Sequence, residues 1–240
     1  AGLEMGTFPV NKPQMLAELH AYTGFCSAKE GRFSDAKDYA IKALYECGKD
    51  PRLLDSISDT FIILRDPENL TEVLSRMVPG TGKYHYKKGM CYIFQRHMAD
   101  AAIELEEALA LGQNTRNCIS ALMICYEELR LFDKAIFLAS EWKHVFENDS
   151  ELFKRLLMVY IDSCLYEEAT ALLERFSGKK DIELKAVEVY IAALREDWER
   201  MLASSLELFQ AISPDKEPSL EGIVGLGRKL QQNNEKHAAF

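Results

Sequence analysis

The chain has no excess of basic charge. Its 240 residues hold 29 Lys and Arg against 38 Asp and Glu, a formal net charge of −9. That balance disfavours sequence-independent binding to a phosphate backbone. Long hydrophobic runs are missing as well. The longest, residues 121–126 and 189–194, fall far short of the roughly 20 apolar residues that a membrane-spanning helix needs, so no membrane association is expected. No basic segment followed by an apolar run opens the chain, and no secretory signal is expected. Metal-ligand spacing is absent too. No two of Cys26, Cys47, Cys91, Cys118, Cys125 and Cys164 are separated as a zinc site requires, and the five histidines do not complete one. Neither a metal nor a cofactor is therefore expected. Scattered thiols in a chain long enough to build its own core read as small buried hydrophobes of a reducing compartment, cytoplasm or nucleus. Finally, the period-two alternation of a half-buried strand does not occur over any useful length, which argues against a sheet.

What is present points to helices. A hydrophobic fraction of 48% supplies a normal globular core, and nothing in the composition marks a division into domains. Residues 116–129 and 151–164 repeat apolar side chains every three or four positions, as one face of a helix does. Breakers such as Gly31, Gly48, Pro51, Pro67, Gly80, Gly112 and Gly178 cut the chain into helices of ordinary length. Many short helices joined by short turns direct attention to internal periodicity.

The period is 34. Ala101, Ala135, Ala169 and Ala203 are spaced by it; Ala36 and Leu70 extend the series backwards, with a step of 31 between Leu70 and Ala101. A second register holds Cys26, Thr60, Cys91, Cys125, Val159 and Ala193, and a third, one residue later, holds Ser27, Phe61, Tyr92, Tyr126, Tyr160 and Leu194. Small residues in register let helices cross closely, while large neighbours fill the space beside the crossing.

This pattern resembles the tetratricopeptide repeat, a 34-residue pair of helices. In 17–50, Gly24, Gly31, Phe33, Ala36 and Ala43 match the family signature; in 82–115, Gly89, Tyr92, Ala101 and Ala108 do. Units 116–149 (Leu122, Tyr126, Phe132, Ala135) and 150–183 (Leu156, Tyr160, Tyr166, Ala169) also match, but carry Trp142 and Phe176 where the family usually has alanine. Units 51–81 and 184–217 are degenerate. The resemblance implies an all-α fold, a right-handed superhelical solenoid of about six antiparallel helix pairs over 17–217. An extension (1–16) precedes it, and a capping helix (218–233) and a frayed tail (234–240) follow.

Chemical motifs are few. The segment Pro79-Gly80-Thr81-Gly82-Lys83-Tyr84 has the look of a phosphate-binding loop, but Met77 and Tyr84 stand where a glycine and a Ser or Thr are required. It reads as a turn between repeats. Adjacent acidic pairs (Glu106-Glu107, Glu127-Glu128, Glu167-Glu168) point about 100° apart on a helix and do not face one another. His97 and His144 have no sequence neighbour to tune them, and Cys118 and Cys125 read as packing residues. No catalytic residue is assigned, and no enzyme is expected.

The resemblance also implies a concave face built from the first helix of each pair. By family position that face holds Lys83, Tyr86, Met90, Ile93 and Phe94, then Asn117, Ser120, Ile124, Glu127 and Glu128, then Glu151, Lys154, Met158, Ile161 and Asp162. Met and aromatic residues turned to water call for a partner, since exposed apolar patches mark binding sites. Two readings stay open: these side chains pack against another part of the chain, or they form a groove for a partner helix or extended peptide. The Lys and Asn that clamp chaperone tails in one subgroup are replaced by Ala21 and Phe25, so such tails are not expected. A protein or peptide partner of a non-catalytic scaffold is the expected function. The alternative is a homodimeric scaffold subunit, because 135–139 (Ala-Ile-Phe-Leu-Ala) is similar to a segment of tetratricopeptide subunits of the anaphase-promoting ubiquitin ligase. A remote alternative, RNA binding, rests on the run Lys83-Tyr84-His85-Tyr86-Lys87-Lys88, but one short basic stretch on an acidic chain argues against nucleic acid as a partner.

Overall fold

Helices and their turns make up the described residues, 12–113, 115–176 and 181–212, of the computed structural model, with no strand among them. The expected capping helix and tail, and residues 1–11 of the expected extension, lie outside the described residues. The chain divides into two compact units, Ala1–Arg130 and Leu131–Phe240, a boundary that falls inside the 116–149 repeat.

The first unit holds α1 (Lys12–Lys29), α2 (Phe33–Glu46), α3 (Pro51–Leu64), α4 (Pro67–Arg76), α5 (Gly82–Phe94), α6 (Met98–Ala110) and α7 (Arg116–Glu128). Turns this short leave α1/α2, α3/α4 and α5/α6 no arrangement but antiparallel hairpins. Each hairpin packs on the next, α2 on α3, α4 on α5 and α6 on α7, and the first helices α1, α3, α5 and α7 stand side by side. A single hairpin cannot bury its apolar face, and stacking supplies the missing cover. The core formed this way runs through Ala21, Ala43, Leu54, Ile57, Phe61, Leu70 and Val73. Polar ties cross between hairpins: Lys37 Nζ lies 2.7 Å from Asp66 Oδ2, and Arg76 Nη1 donates to the Leu44 carbonyl at 2.7 Å.

The second unit holds α8 (Phe132–Glu141), α9 (Lys143–Asn148), α10 (Ser150–Asp162), α11 (Tyr166–Arg175), α12 (Ile182–Leu194) and α13 (Trp198–Ile212). Here α10 packs on α8, α9 and α11, α11 on α12, and α12 on α13. Phe153, Leu157, Ile161, Ala169, Leu173, Leu184 and Ile191 form its core.

Local chemistry marks the starts of the first helices from α3 onward. The first helices are capped by Asp50, Thr81, Thr115, Asp149 and Asp181, each accepting a backbone N–H of the first turn. The turn that follows each first helix carries one residue in the left-handed region: Gly31, Arg65, Arg96, Arg130, Cys164 and Glu196, with φ between 52° and 78°. These six are 34, 31, 34, 34 and 32 residues apart. The repeat therefore persists to the last hairpin, but its final step is two residues short.

That shortfall corrects the alanine register. Ala36, Leu70, Ala101, Ala135 and Ala169 are fully buried, whereas Ala203 is exposed and Ser204, Ser205 and Leu208 turn inward on α13. The second register likewise ends at the buried pair Ile191 and Ala192, with Ala193 only half-buried, and its first member, Cys26, is exposed.

The position marked by Trp142 and Phe176 decides helix length. Its members are Ala43, Met77, Ala108, Trp142 and Phe176. The two alanines are fully buried, and their helices run on to Glu46 and Ala110. Met77, Trp142 and Phe176 each occupy the C-cap of a ten-residue helix. An alanine admits the neighbouring helix at this crossing. A large side chain fills that space, and the backbone turns away.

Candidate functional site

The inner edge of the first unit is a groove of about 630 Å³ between α3, α5 and α7. From α5 it takes Tyr86, Met90, Ile93 and Phe94; from α7, Asn117, Ser120, Ala121, Ile124 and Glu128; from α3 and its turn, Ile62, Ile63 and Arg65. Arg96 and Met98 complete the lining. Most of the apolar lining is half-buried, neither packed away nor fully in water. Phe94 and Ile62 also press on the core, so these two serve both roles. A second hollow of about 340 Å³ shares Ile62, Ile63, Tyr86 and Asn117 with the first and adds Phe25, Lys29, Asp55, Asp59, Lys83 and Lys87.

The two ends of this trough differ. At the polar end Lys87 is 2% exposed, with its Nζ 2.8 Å from Asp55 Oδ1 and 2.5 Å from Asp59 Oδ1, and it donates to the Asp55 carbonyl at 3.0 Å. Asp55 also accepts from Lys83 Nζ at 2.7 Å. Burial alone would raise the Asp55 carboxyl, but the two ammonium groups outweigh it and hold its pKa below the usual value. The hydrogen bond to Asp55 raises Lys83. Beside them the Tyr86 phenol is pushed up to about 12 by burial, with Asp59 and Cys118 adding to it. At the other end Arg65 and Arg96 are exposed, and their side chains make no hydrogen bond or ion pair among the described residues. Counted over both hollows, Lys29, Arg65, Lys83, Lys87 and Arg96 face Asp55, Asp59 and Glu128, so five positive groups meet three negative ones and the lining is net +2.

The basic-aromatic run is neutralised by its own fold. Lys83 and Lys87 pair with Asp55 and Asp59; Lys88 Nζ and His85 Nδ1 both meet Glu104, at 2.6 and 2.7 Å. Its four basic side chains are all spent on carboxylates, which leaves little free charge for phosphates. The glycine-rich segment before it is a turn: Gly80 has φ 76°, and the Thr81 hydroxyl caps α5 by accepting from Tyr84 N–H.

Of the residues assigned to the concave face, Tyr86, Met90, Ile93, Phe94, Asn117, Ser120, Ile124 and Glu128 come together in the groove. Lys83 lines the polar hollow, and Glu127, half-buried on α7, lines neither. In the second unit Met158 is 39% exposed on α10, while Lys154 is engaged by Asp181 at 2.8 Å and by Glu183. Ile161 is 5% exposed and belongs to the core with Phe153, Leu157 and Leu184, so it offers no contact.

Ile62, Ile63, Asp55 and Asp59 were not assigned from sequence, because 51–81 lacks the signature residues. Yet they stand at the same positions, counted from Pro51, that yielded Tyr86, Met90, Ile93 and Phe94 counted from Gly82. The register alone would have found them.

Among the described residues no cluster of three or more His, Cys, Asp or Glu is placed to hold a metal ion, and no helix is long and apolar enough to cross a membrane. All six cysteines are free, with Cys26 and Cys164 exposed. Burial pushes the thiols of Cys118 and Cys125 up to about 12, Glu128 adding to the second.

No protein-family model matches the sequence, and neither does any curated protein. Solved structures do resemble the fold. PilF of Pseudomonas aeruginosa matches over 91% of this chain and 100% of its own, with 14% identity and a TM-score of 0.64. A tetratricopeptide repeat protein from Parabacteroides merdae matches over 93% of this chain and 86% of its own, with 16% identity and a TM-score of 0.58. Helical hairpins recurring every 31 to 34 residues, stacked on their neighbours within each unit and similar to these structures, give this chain the fold of a tetratricopeptide-repeat solenoid.

Proposed function

We propose that the chain is a non-catalytic protein-interaction module whose first unit holds a segment of another protein between α3, α5 and α7. The observation that carries this reading is the convergence of Ile62, Ile63, Met90, Ile93 and Ile124 from three successive hairpins on one open groove. Apolar side chains left half in water at the end of folding gain by a partner's apolar strip at about 25 cal/mol per Å² covered. Methionine and isoleucine adapt to such a strip without a fixed polar geometry. The likeness to a tetratricopeptide repeat protein supports the same reading at the level of fold.

The test is partner capture by the full chain against a Met90→Glu, Ile124→Glu variant whose circular dichroism matches the wild type. Loss of the partners held by the wild type supports the groove. Retention of all of them would sink it. The homodimer reading is separated by sedimentation over a range of concentrations: within 135–139, Ala135, Leu138 and Ala139 are buried and Phe137 is the side chain exposed for a second copy. A Phe137-dependent dimer would replace the groove as the functional surface.

A further inference from the structure

We infer that the segment seated in this groove is acidic on the flank that meets the hairpin turns: an apolar strip lies between α3, α5 and α7, and carboxylates beside it pair with Arg65 and Arg96. The inference rests on the groove reading above and states the chemistry of its partner.

Three observations converge on it. Arg65 and Arg96 follow the C-terminal ends of the neighbouring helices α3 and α5, line the same groove and are exposed, and their side chains have no hydrogen bond or ion pair among the described residues. The turn does not ask for arginine. Both residues sit in the left-handed region, at φ 52° and 64°, where a β-carbon costs roughly 1–2 kcal/mol and where the first hairpin uses Gly31. The trough is net +2, although the chain as a whole is −9. Half of that surplus belongs to the arginine groove, where Arg65 and Arg96 face Glu128, the sole carboxylate in its lining. The other half is Lys29 in the polar hollow, which lies over the Phe25 ring, while Lys83 and Lys87 are matched by Asp55 and Asp59.

Geometry sets a spacing. Helices α3 and α5 pack directly, so their C-terminal turns stand about 8–10 Å apart. An extended chain covers that distance in about three residues and a helix in about six or seven. The partner's carboxylates are therefore two apart if it binds extended, because only alternate side chains share a face, or two turns apart if it binds as a helix. Rim pairs of this kind add specificity and speed of encounter more than raw affinity.

The test selects a random peptide library displayed on phage against the full chain, then measures chosen synthetic peptides by fluorescence anisotropy at low and high salt. Selected peptides should combine Leu, Ile, Met or Phe with Asp or Glu at these spacings. Replacing their acidic residues by Lys should weaken binding about tenfold or more. An Arg65→Glu, Arg96→Glu variant should reverse that preference, while Arg65→Gln, Arg96→Gln should abolish it with little change for uncharged versions. Groove-dependent peptides with no acidic preference, or with a basic one, would overturn the inference and leave the groove standing. If no selected peptide responds to Met90→Glu with Ile124→Glu, both fall together. Single-stranded RNA that occupies the groove in place of the peptides would also overturn it.

Discussion

Gly89 on α5 sits so close to α6 that a β-carbon placed on it would lie 2.7 Å from Leu105 Cγ and 3.3 Å from the Ala101 carbonyl oxygen. Gly24 repeats the relation in the first hairpin, at 3.2 Å from Ala40 N and 3.3 Å from the Ala36 carbonyl. Both glycines lie where the two helices of a hairpin cross, opposite a fully buried alanine of the 34-residue register.

Gly89→Ala measures the tightness of this crossing. Alanine favours a helix by about 1 kcal/mol over glycine, while overpacking a filled core costs about 1–3 kcal/mol. Leu105 is fully buried and has little room to yield, so overpacking wins. The expected outcome is a net loss of about 1–2 kcal/mol in urea unfolding. A stabilised variant would mean that the hairpin is looser than described.

Ala169→Leu and Ala203→Leu should behave differently despite sharing the sequence register. Ala169 is fully buried and should cost about 1–3 kcal/mol on enlargement. Ala203 is exposed and should stay within about 0.5 kcal/mol of the wild type. Equal losses at both positions would contradict the two-residue shortening before the last hairpin.

Acid should uncouple the Lys87 cluster. The folded pKa of Asp55 is held down, so its contribution is complete above the unfolded value of about 3.9 and is lost as pH falls through that value towards the folded one. Asp55→Asn should therefore lose about 1.5–3 kcal/mol at neutral pH, the scale of a charged hydrogen bond, and the gap should narrow below about pH 4. Urea midpoints of both proteins from neutral pH into acid supply the check; a gap independent of pH would mean that Asp55 acts through packing and not through charge.

Thiol labelling tests the burial pattern. Iodoacetamide should modify Cys26 and Cys164 readily in the native protein. Cys118 and Cys125, fully buried and with thiolates disfavoured up to about pH 12, should react only after denaturation. Peptide mapping by mass spectrometry reads the order directly. Rapid native labelling of Cys118 or Cys125 would place α7 in a more open environment than it occupies here.

The sequence by itself determined the helices, the period and the pairing, because these depend on features that every repeat restates. Apolar spacing sets each buried face, small residues such as Ala101 and Ala135 set the crossings, and Asp or Thr caps set the starts. It also located most of the groove, since Tyr86, Met90, Ile93 and Ile124 hold fixed positions within their repeats. Only the tertiary structure decided which positions are spent on the protein's own core or charge. Ile161 and Met158 stand three residues apart on α10, yet one is buried among its neighbours and the other open to water. Lys83, Lys87 and Lys88 read as free basic charge until Asp55, Asp59 and Glu104 are brought against them from other helices. Periodicity is local and survives in a string of letters. Charge cancellation and burial depend on residues 16 to 32 positions away, whose approach is fixed by how one hairpin leans on the next.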